Sequence, residues 1–430
     1  MQRIRLIDLR RLTCPLPAIL EVTVNRISCL EYSGCVILLE HHVFLKSASL
    51  RVNCLRDEPQ PTSDFPAQTH RRNPPRLHLQ QPTSYTYTFD PLWSLSPITS
   101  TKYRLPNITM PIPDKLPTYA DLPLDPSHPP GSAWGLYGES DNLGTLNLLT
   151  PDNTLAAASL IKTGTRISLN WPLQNPSHPG FLRQKFNHKI IQKAPRCVND
   201  DVIEMNTQSG SQWDGLRHFG FQGVRKFYGG VTMEEIHEEG STTLGIHHMA
   251  KQGIVGRAVL IDYRSWAVKQ GIEYDACDTY SIPLDSVLEI AKEKNITFRQ
   301  GDILIIRSGF TEAYQALSVE EREKRSKVVP PHFAGFEQST TSRSFLFDTH
   351  FAAIASDAPA FECWPTQSPE GWALHEFVLA GWGMPIGEMF WLEDLVKECE
   401  RLGRWEFFFV SEPLAVVGGV ASPPNALAIF

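Results

Sequence analysis

Three short apolar runs constrain the fold of this chain more than any other feature. They are Gly256-Arg-Ala-Val-Leu-Ile-Asp262, Gly301-Asp-Ile-Leu-Ile-Ile-Arg307 and Phe351-Ala-Ala-Ile-Ala-Ser-Asp357, each bounded by turn residues. Runs of that length and composition read as strands buried in a sheet. Helical spacing appears over Asp285–Lys294, over Ser318–Arg325 and near Leu392–Leu402. Arg166–Trp171 alternates as a strand does, and Trp405–Leu414 adds a late strand. Thr150 ahead of Pro151 is an N-cap followed by proline at the first helical position, with Gly164 as the stop. Strands alternating with helices predict an α/β class with a mostly buried mixed sheet.

The first 109 residues differ in composition from the rest of the chain. They hold 13 Lys/Arg against 8 Asp/Glu, whereas the whole 430-residue chain carries a net charge of −7. Nine prolines fall between residues 59 and 106. That composition offsets little of the cost of ordering a chain. Residues 1–109 are therefore expected to be a disordered extension, or sequence upstream of the true start. Only Cys35–Leu39 has the look of a strand there. Met110 opens the region expected to form one catalytic domain, 110–430.

Composition narrows the function. Hydrophobic residues make up 42% and charged residues 20%, the balance of a soluble globular protein. The acidic net charge gives no reason to expect nucleic acid as a partner. No apolar run approaches the ~18 residues of a bilayer span, so no membrane partner is expected. Arg3, Arg5, Arg10 and Arg11 hint at a transit peptide, but Asp8, Pro15, Pro17 and Glu21 oppose it. Eight cysteines without C-x-x-C spacing read as reduced, mostly buried thiols of a cytoplasmic protein. G-x-S-x-G, G-x-G-x-x-G, Walker and H-E-x-x-H patterns are absent.

Candidate chemistry gathers in a few places. Gln208-Ser-Gly-Ser-Gln212-Trp-Asp214-Gly-Leu-Arg-His218 places two amides, a carboxylate and an imidazole close together. If the preceding Val202–Met205 run is a strand ending here, Gln208, Gln212 and Asp214 leave on one side of it. Asp357 and Glu362 come after a buried run. His375 and Glu388 form a further pair. Acidic and imidazole groups in such places suit a divalent metal, and a nearby histidine suits proton transfer. His247 and His248 are adjacent and therefore poor joint ligands. Trp134, Trp171, Trp213 and Trp382 read as core rather than substrate walls; Trp213, which borders Asp214, is the one to test as a wall. The loop Gly223–Gly230 is either a substrate cover or an exposed turn.

From about Trp134 to Ala428 the chain resembles the cyclase family, which includes microbial kynurenine formamidases and isatin hydrolases. The family hallmark is H-x-G-T-H-x-D-x-P-x-H. The Gln208–His218 frame keeps its glycine, aspartate and last histidine, and has glutamine at both earlier histidines. Asp141-Asn-Leu-Gly-Thr-Leu-Asn147, the 256–262 and 301–309 segments and His375…Glu388 support the resemblance.

The resemblance implies a single domain of swivelling β/β/α-like fold and a metal-dependent hydrolase acting on a small amide, formamide or lactam. Arylformamidase activity in tryptophan catabolism is its most specific form. It implies Asp214 as a metal ligand able to bridge two ions, His218 as proton donor and acceptor, His375 at the second metal and Glu388 completing the bridge. Gln208 and Gln212 fall at two first-metal places, with Zn or Mn the expected ion. A small-molecule substrate and a homodimer or larger assembly complete the expectation. Glutamine is a neutral and weaker ligand than imidazole. Two alternatives therefore stand: a metal-free lyase, isomerase or cyclising enzyme using His218 and Asp214, and a non-catalytic ligand-binding relative.

Overall fold

The computed structural model describes residues 115–430, together with the backbone of two paired strands, Ile27–Tyr32 and Cys35–Glu40. The second of these contains the Cys35–Leu39 run; the rest of the expected extension lies outside the described residues. Chain contacts divide the protein into units 1–105 and 106–430. Every candidate site residue belongs to the second unit.

The centre of that unit is a nine-stranded mixed sheet. In chain order the strands are β1 (Arg166–Ser168), β2 (Gln212–Asp214), β3 (Ile254–Asp262), β4 (Ile303–Arg307) and β5 (Ala353–Ser356). Then come β6 (Ile386–Glu388), β7 (Glu406–Ser411), β8 (Ala421–Ser422) and β9 (Ala426–Ile429). The spatial order is β8-β2-β6-β5-β4-β3-β7-β9-β1. The middle strands β6, β5, β4 and β3 are parallel, and antiparallel strands extend both sides. Every residue of β4 and β5 is buried, as expected of parallel strands covered on both faces. β7 instead alternates half-buried and buried positions.

The expected helices form at Leu284–Glu293, Val319–Ser326 and Glu393–Leu402. Thr150 caps the helix Pro151–Ala158 by accepting from the Asn153 N–H at 3.2 Å. That helix ends at Ala158, ahead of Gly164, which lies in the link to β1 with φ of 74°. Among the described residues no helix is long and apolar enough to cross a membrane.

One sequence expectation is corrected. The 202–205 run does not lead into the site. Asn199–Glu204 pairs with Asn187–Gln192 in a separate hairpin whose second strand is exposed throughout. Asn206 then turns the chain, its side-chain oxygen taking the Gln208 N–H at 2.8 Å and its carbonyl the Ser209 N–H at 3.0 Å. Gln208 stays in this turn, so only Gln212 and Asp214 share a strand face.

Candidate metal and acid–base centre

The site is built by the pairing of β2 with β6. In that antiparallel register Gln212 lies opposite Glu388 and Asp214 opposite Ile386. Gln212 and Asp214 are two apart, so both point to one face, and Glu388 joins them from across the pair. Trp213 points the other way. It is fully buried against Phe390 and Phe409 and donates to Ser411 Oγ at 2.9 Å, so it is core and no substrate wall.

Gln212 Nε2 donates to Asp214 Oδ1 at 2.9 Å and to Glu388 Oε2 at 2.7 Å. A neutral amide therefore separates two buried carboxylates. His375 precedes the π-helical turn Glu376–Gly381, in which the Trp382 N–H reaches back to the Phe377 carbonyl at 2.9 Å. Its Nε2 lies 3.2 Å from Glu388 Oε1 and 3.8 Å from Asp214 Oδ2. Its Nδ1 lies 2.6 Å from Glu362 Oε1. Glu362 also accepts from the backbone N–H groups of Leu374 and His375 and from Gln338. It thus orients the ring and the start of the turn together.

Burial pulls the His375 pKa down, but Glu362 and Glu388 outweigh it and lift the imidazole to about 10. Burial and the Asp214 charge raise Glu388. His218 Nε2 sits 3.8 Å from Asp214 Oδ2, and burial lowers its pKa against the pull of Asp214. Its side chain is 19% exposed, against 0% for Asp214, so His218 is the member of the cluster a substrate can reach.

Asp214, His218 and His375 present ligand atoms that all lie within 4.8 Å of one another. Asp214 Oδ2 and Gln212 Oε1 are buried without a hydrogen-bond partner. Unsatisfied oxygens of this kind call for an explanation. Asp214 Oδ2 and His375 Nε2, 3.8 Å apart, are a mixed O/N donor pair of the kind that holds a divalent ion. Gln208 stands outside this set. Its Nε2 meets His218 Nδ1 at 2.7 Å, on the ring edge away from Asp214, while Thr207 Oγ1 donates to its Oε1 at 3.2 Å.

The remaining candidates have other placements. Asp357 accepts from Ser308 N–H and Oγ and from Gly309 N–H, at 2.6, 2.8 and 2.9 Å, and so braces the loop after β4. His247 donates nothing to the centre; its Nδ1 accepts from the Gly418 N–H at 3.2 Å. In the 223–230 loop Phe227 and Tyr228 are buried, Tyr228 donating to Asp141 at 3.1 Å, while Val224 is exposed. Cys277, Cys363 and Cys399 are free and buried, and Cys197 is free and exposed.

Beside the centre lies a cavity of about 230 Å³ bordered by Gln208, Ser209 and Met389. Its wall includes Phe181, Phe310, Phe333 and Arg183, none singled out by sequence reasoning. Nothing in the local pattern around Arg183 marks it, because its neighbours in the pocket come from distant segments.

The chain belongs to the cyclase family: residues 107–363 match the Cyclase family. A crystal structure of a novel cyclase is 30% identical, with a TM-score of 0.61, over 70% of this chain and 99% of that one. Isatin hydrolase A from Labrenzia aggregata is 13% identical over 65% of this chain and 98% of that one, with a TM-score of 0.45. A predicted metal-dependent hydrolase from Bacillus stearothermophilus is 16% identical over 61% and 97%, with a TM-score of 0.37. No curated protein matches the sequence. The matched span contains Gln208–His218 and Glu362 but ends before His375 and Glu388.

Proposed function

We propose that this protein is a metal-dependent hydrolase of a small amide, formamide or lactam, with an arylformamide as the preferred test substrate. The observation that carries this reading is the convergence of Asp214, His218 and His375 ligand atoms within 4.8 Å, with Asp214 Oδ2 buried and lacking a hydrogen-bond partner. Asp214 and His375 would hold the ion, with Gln212 and Glu388 packed beside them. When bound, a divalent ion supplies Lewis acidity and lowers the pKa of water.

In the net reaction water oxygen bonds to the carbonyl carbon, the C–N bond breaks and the leaving nitrogen takes a proton. His218 carries that proton at Nε2. Gln208 serves either tautomer of the ring. Its NH2 donates to a bare Nδ1; turned over, its carbonyl accepts from Nδ1–H and leaves Nε2 bare. Glu362 keeps His375 facing Glu388 and Asp214.

A second reading is favoured by one observation. Gln212 bridges Asp214 and Glu388 through hydrogen bonds alone, and His375 is poised as a cation among carboxylates. That arrangement offsets part of the carboxylate charge without an ion and favours metal-free acid–base catalysis by His218 and Asp214.

Metal analysis of the purified protein, joined to N-formylkynurenine hydrolysis, separates the two. The hydrolase reading expects about one ion per chain, turnover abolished by chelation, and a loss of at least ~10²-fold in His218→Ala. Turnover without stoichiometric metal would move the assignment to the second reading.

A further inference from the structure

The geometry points to an aromatic, carboxylate-bearing substrate, held by Arg183 in the cavity beside Gln208; this rests on the hydrolase reading of the centre. The size of the cavity comes first. A dry cavity of ~150 Å³ holds a benzene ring, so about 230 Å³ admits a ring with a few further atoms. The walls are shaped for such a ring. Phe181 and Phe333 lie 5.8 Å apart, Phe310 and Phe333 5.6 Å, in tilted and edge-on arrangements.

The charge of the lining comes second. Among the described residues Asp278 is the one carboxylate in the wall, and it is taken by His332 at 3.0 Å. Three arginines face it. Arg325 is neutralised by Asp275 at 2.8 Å. Arg183 and Arg322 have no carboxylate partner among the described residues. Arg183 Nη1 donates to the Gln208 carbonyl at 2.6 Å, and Arg322 donates to the carbonyls of Tyr314 and Gln315 at 3.1 and 2.7 Å. Glu323, beside Arg322, is taken by Lys327 at 2.8 Å. An aromatic cavity with surplus guanidinium charge selects a flat anion, and an Arg fork matches a carboxylate bidentately.

The position of Arg183 singles it out of the two. Its guanidinium lies 4.8 Å from the Phe181 ring centre and is tied to the residue that contacts His218, leaving Nε and Nη2 available. Phe181 and Leu182, immediately before it, adopt φ of 55° and 56°, a region that non-glycine residues avoid. The chain holds this conformation where it presents Phe181 and Arg183 to the cavity. A carboxylate on Arg183 and a ring against Phe181 direct the remaining end of a small substrate toward Gln208 and His218.

The test uses the full chain and two formamides that differ by one group: formanilide, and N-formylanthranilate, its ring-carboxylate counterpart. The wild type should favour N-formylanthranilate by at least tenfold in kcat/KM. Arg183→Met should cut that preference at least tenfold, and Arg183→Lys should retain part of it. Equal use of both substrates, or a preference unchanged in Arg183→Met, overturns the inference while leaving the hydrolase reading intact. If neither is hydrolysed, metal content and N-formylkynurenine turnover still decide the hydrolase reading, and calorimetric titration with anthranilate decides the pocket. Binding weakened at least tenfold in Arg183→Met keeps the anion site; no binding to the wild type removes it.

Discussion

Gln212 stands between two buried carboxylates, and the electrostatics of the centre derive from that. Unscreened, Asp214 and Glu388 would repel each other across a desolvated strand pair. The amide NH2 serves both at 2.9 and 2.7 Å. Gln212→Leu removes two hydrogen bonds to charged groups, so a loss of about 3 kcal/mol or more is expected in urea unfolding with chelator present. Asp357 supplies a pH-dependent counterpart. Burial lifts its pKa to about 6 from 3.8, against the pull of Arg307 and the Ser308 donors. A carboxyl raised on folding contributes stability below its unfolded pKa and loses it as pH rises through the folded value. Between about pH 4 and pH 6 the wild type should therefore lose up to about 3 kcal/mol relative to Asp357→Asn. Parallel unfolding curves of the two proteins across that range check it; a constant difference would refute it. At this scale the sequence was partly legible. Asp214, His218, His375 and Glu388 stood out by residue type and frame. The link from Gln208 to His218 did not, because a side chain in a turn carries no parity.

The centre depends on elements meeting closely. Gly144, in the short helical turn Gly144–Leu148, approaches the backbone just past the π-helical turn at His375. A Cβ at Gly144 would lie 1.9 Å from the Gly383 carbonyl oxygen, and φ there is +56°. No side chain fits without moving one element away from the other. Gly144→Ala should destabilise by about 3 kcal/mol or more and lower activity with it, read by thermal unfolding and turnover together. A variant of normal stability would show that the two backbones separate freely. The Asp141–Asn147 segment thus supports the site through packing, with no group of its own in the centre. The register of β2 on β6 is the second such dependence. A slip of one residue would send Asp214 and Gln212 to the Trp213 side of the sheet. Buried strands and capped helices were legible because their signals are local. The Asn199–Glu204 run was misread as leading into the site, because strand propensity is blind to which partner a strand finds.

For the whole molecule, the chain divides between residues 105 and 106, and the second unit holds the nine-stranded sheet with its hydrophobic core. A chain begun at Met110 should unfold cooperatively with a Tm within about 2 °C of the full chain, as followed by circular dichroism. A broadened or strongly lowered transition would mean that residues 1–109 contribute to the fold. The sequence by itself determined the α/β class, the capped helices, the buried parallel strands and the acidic and imidazole inventory of the centre. Each of these is written in residue type and short-range periodicity. The tertiary structure alone decided that Glu388 faces Gln212, that Glu362 orients His375, that Gln208 belongs to His218, and that Arg183 enters an aromatic cavity beside them. These are juxtapositions of residues far apart in the chain, set by strand pairing and close backbone packing, and no local pattern encodes them.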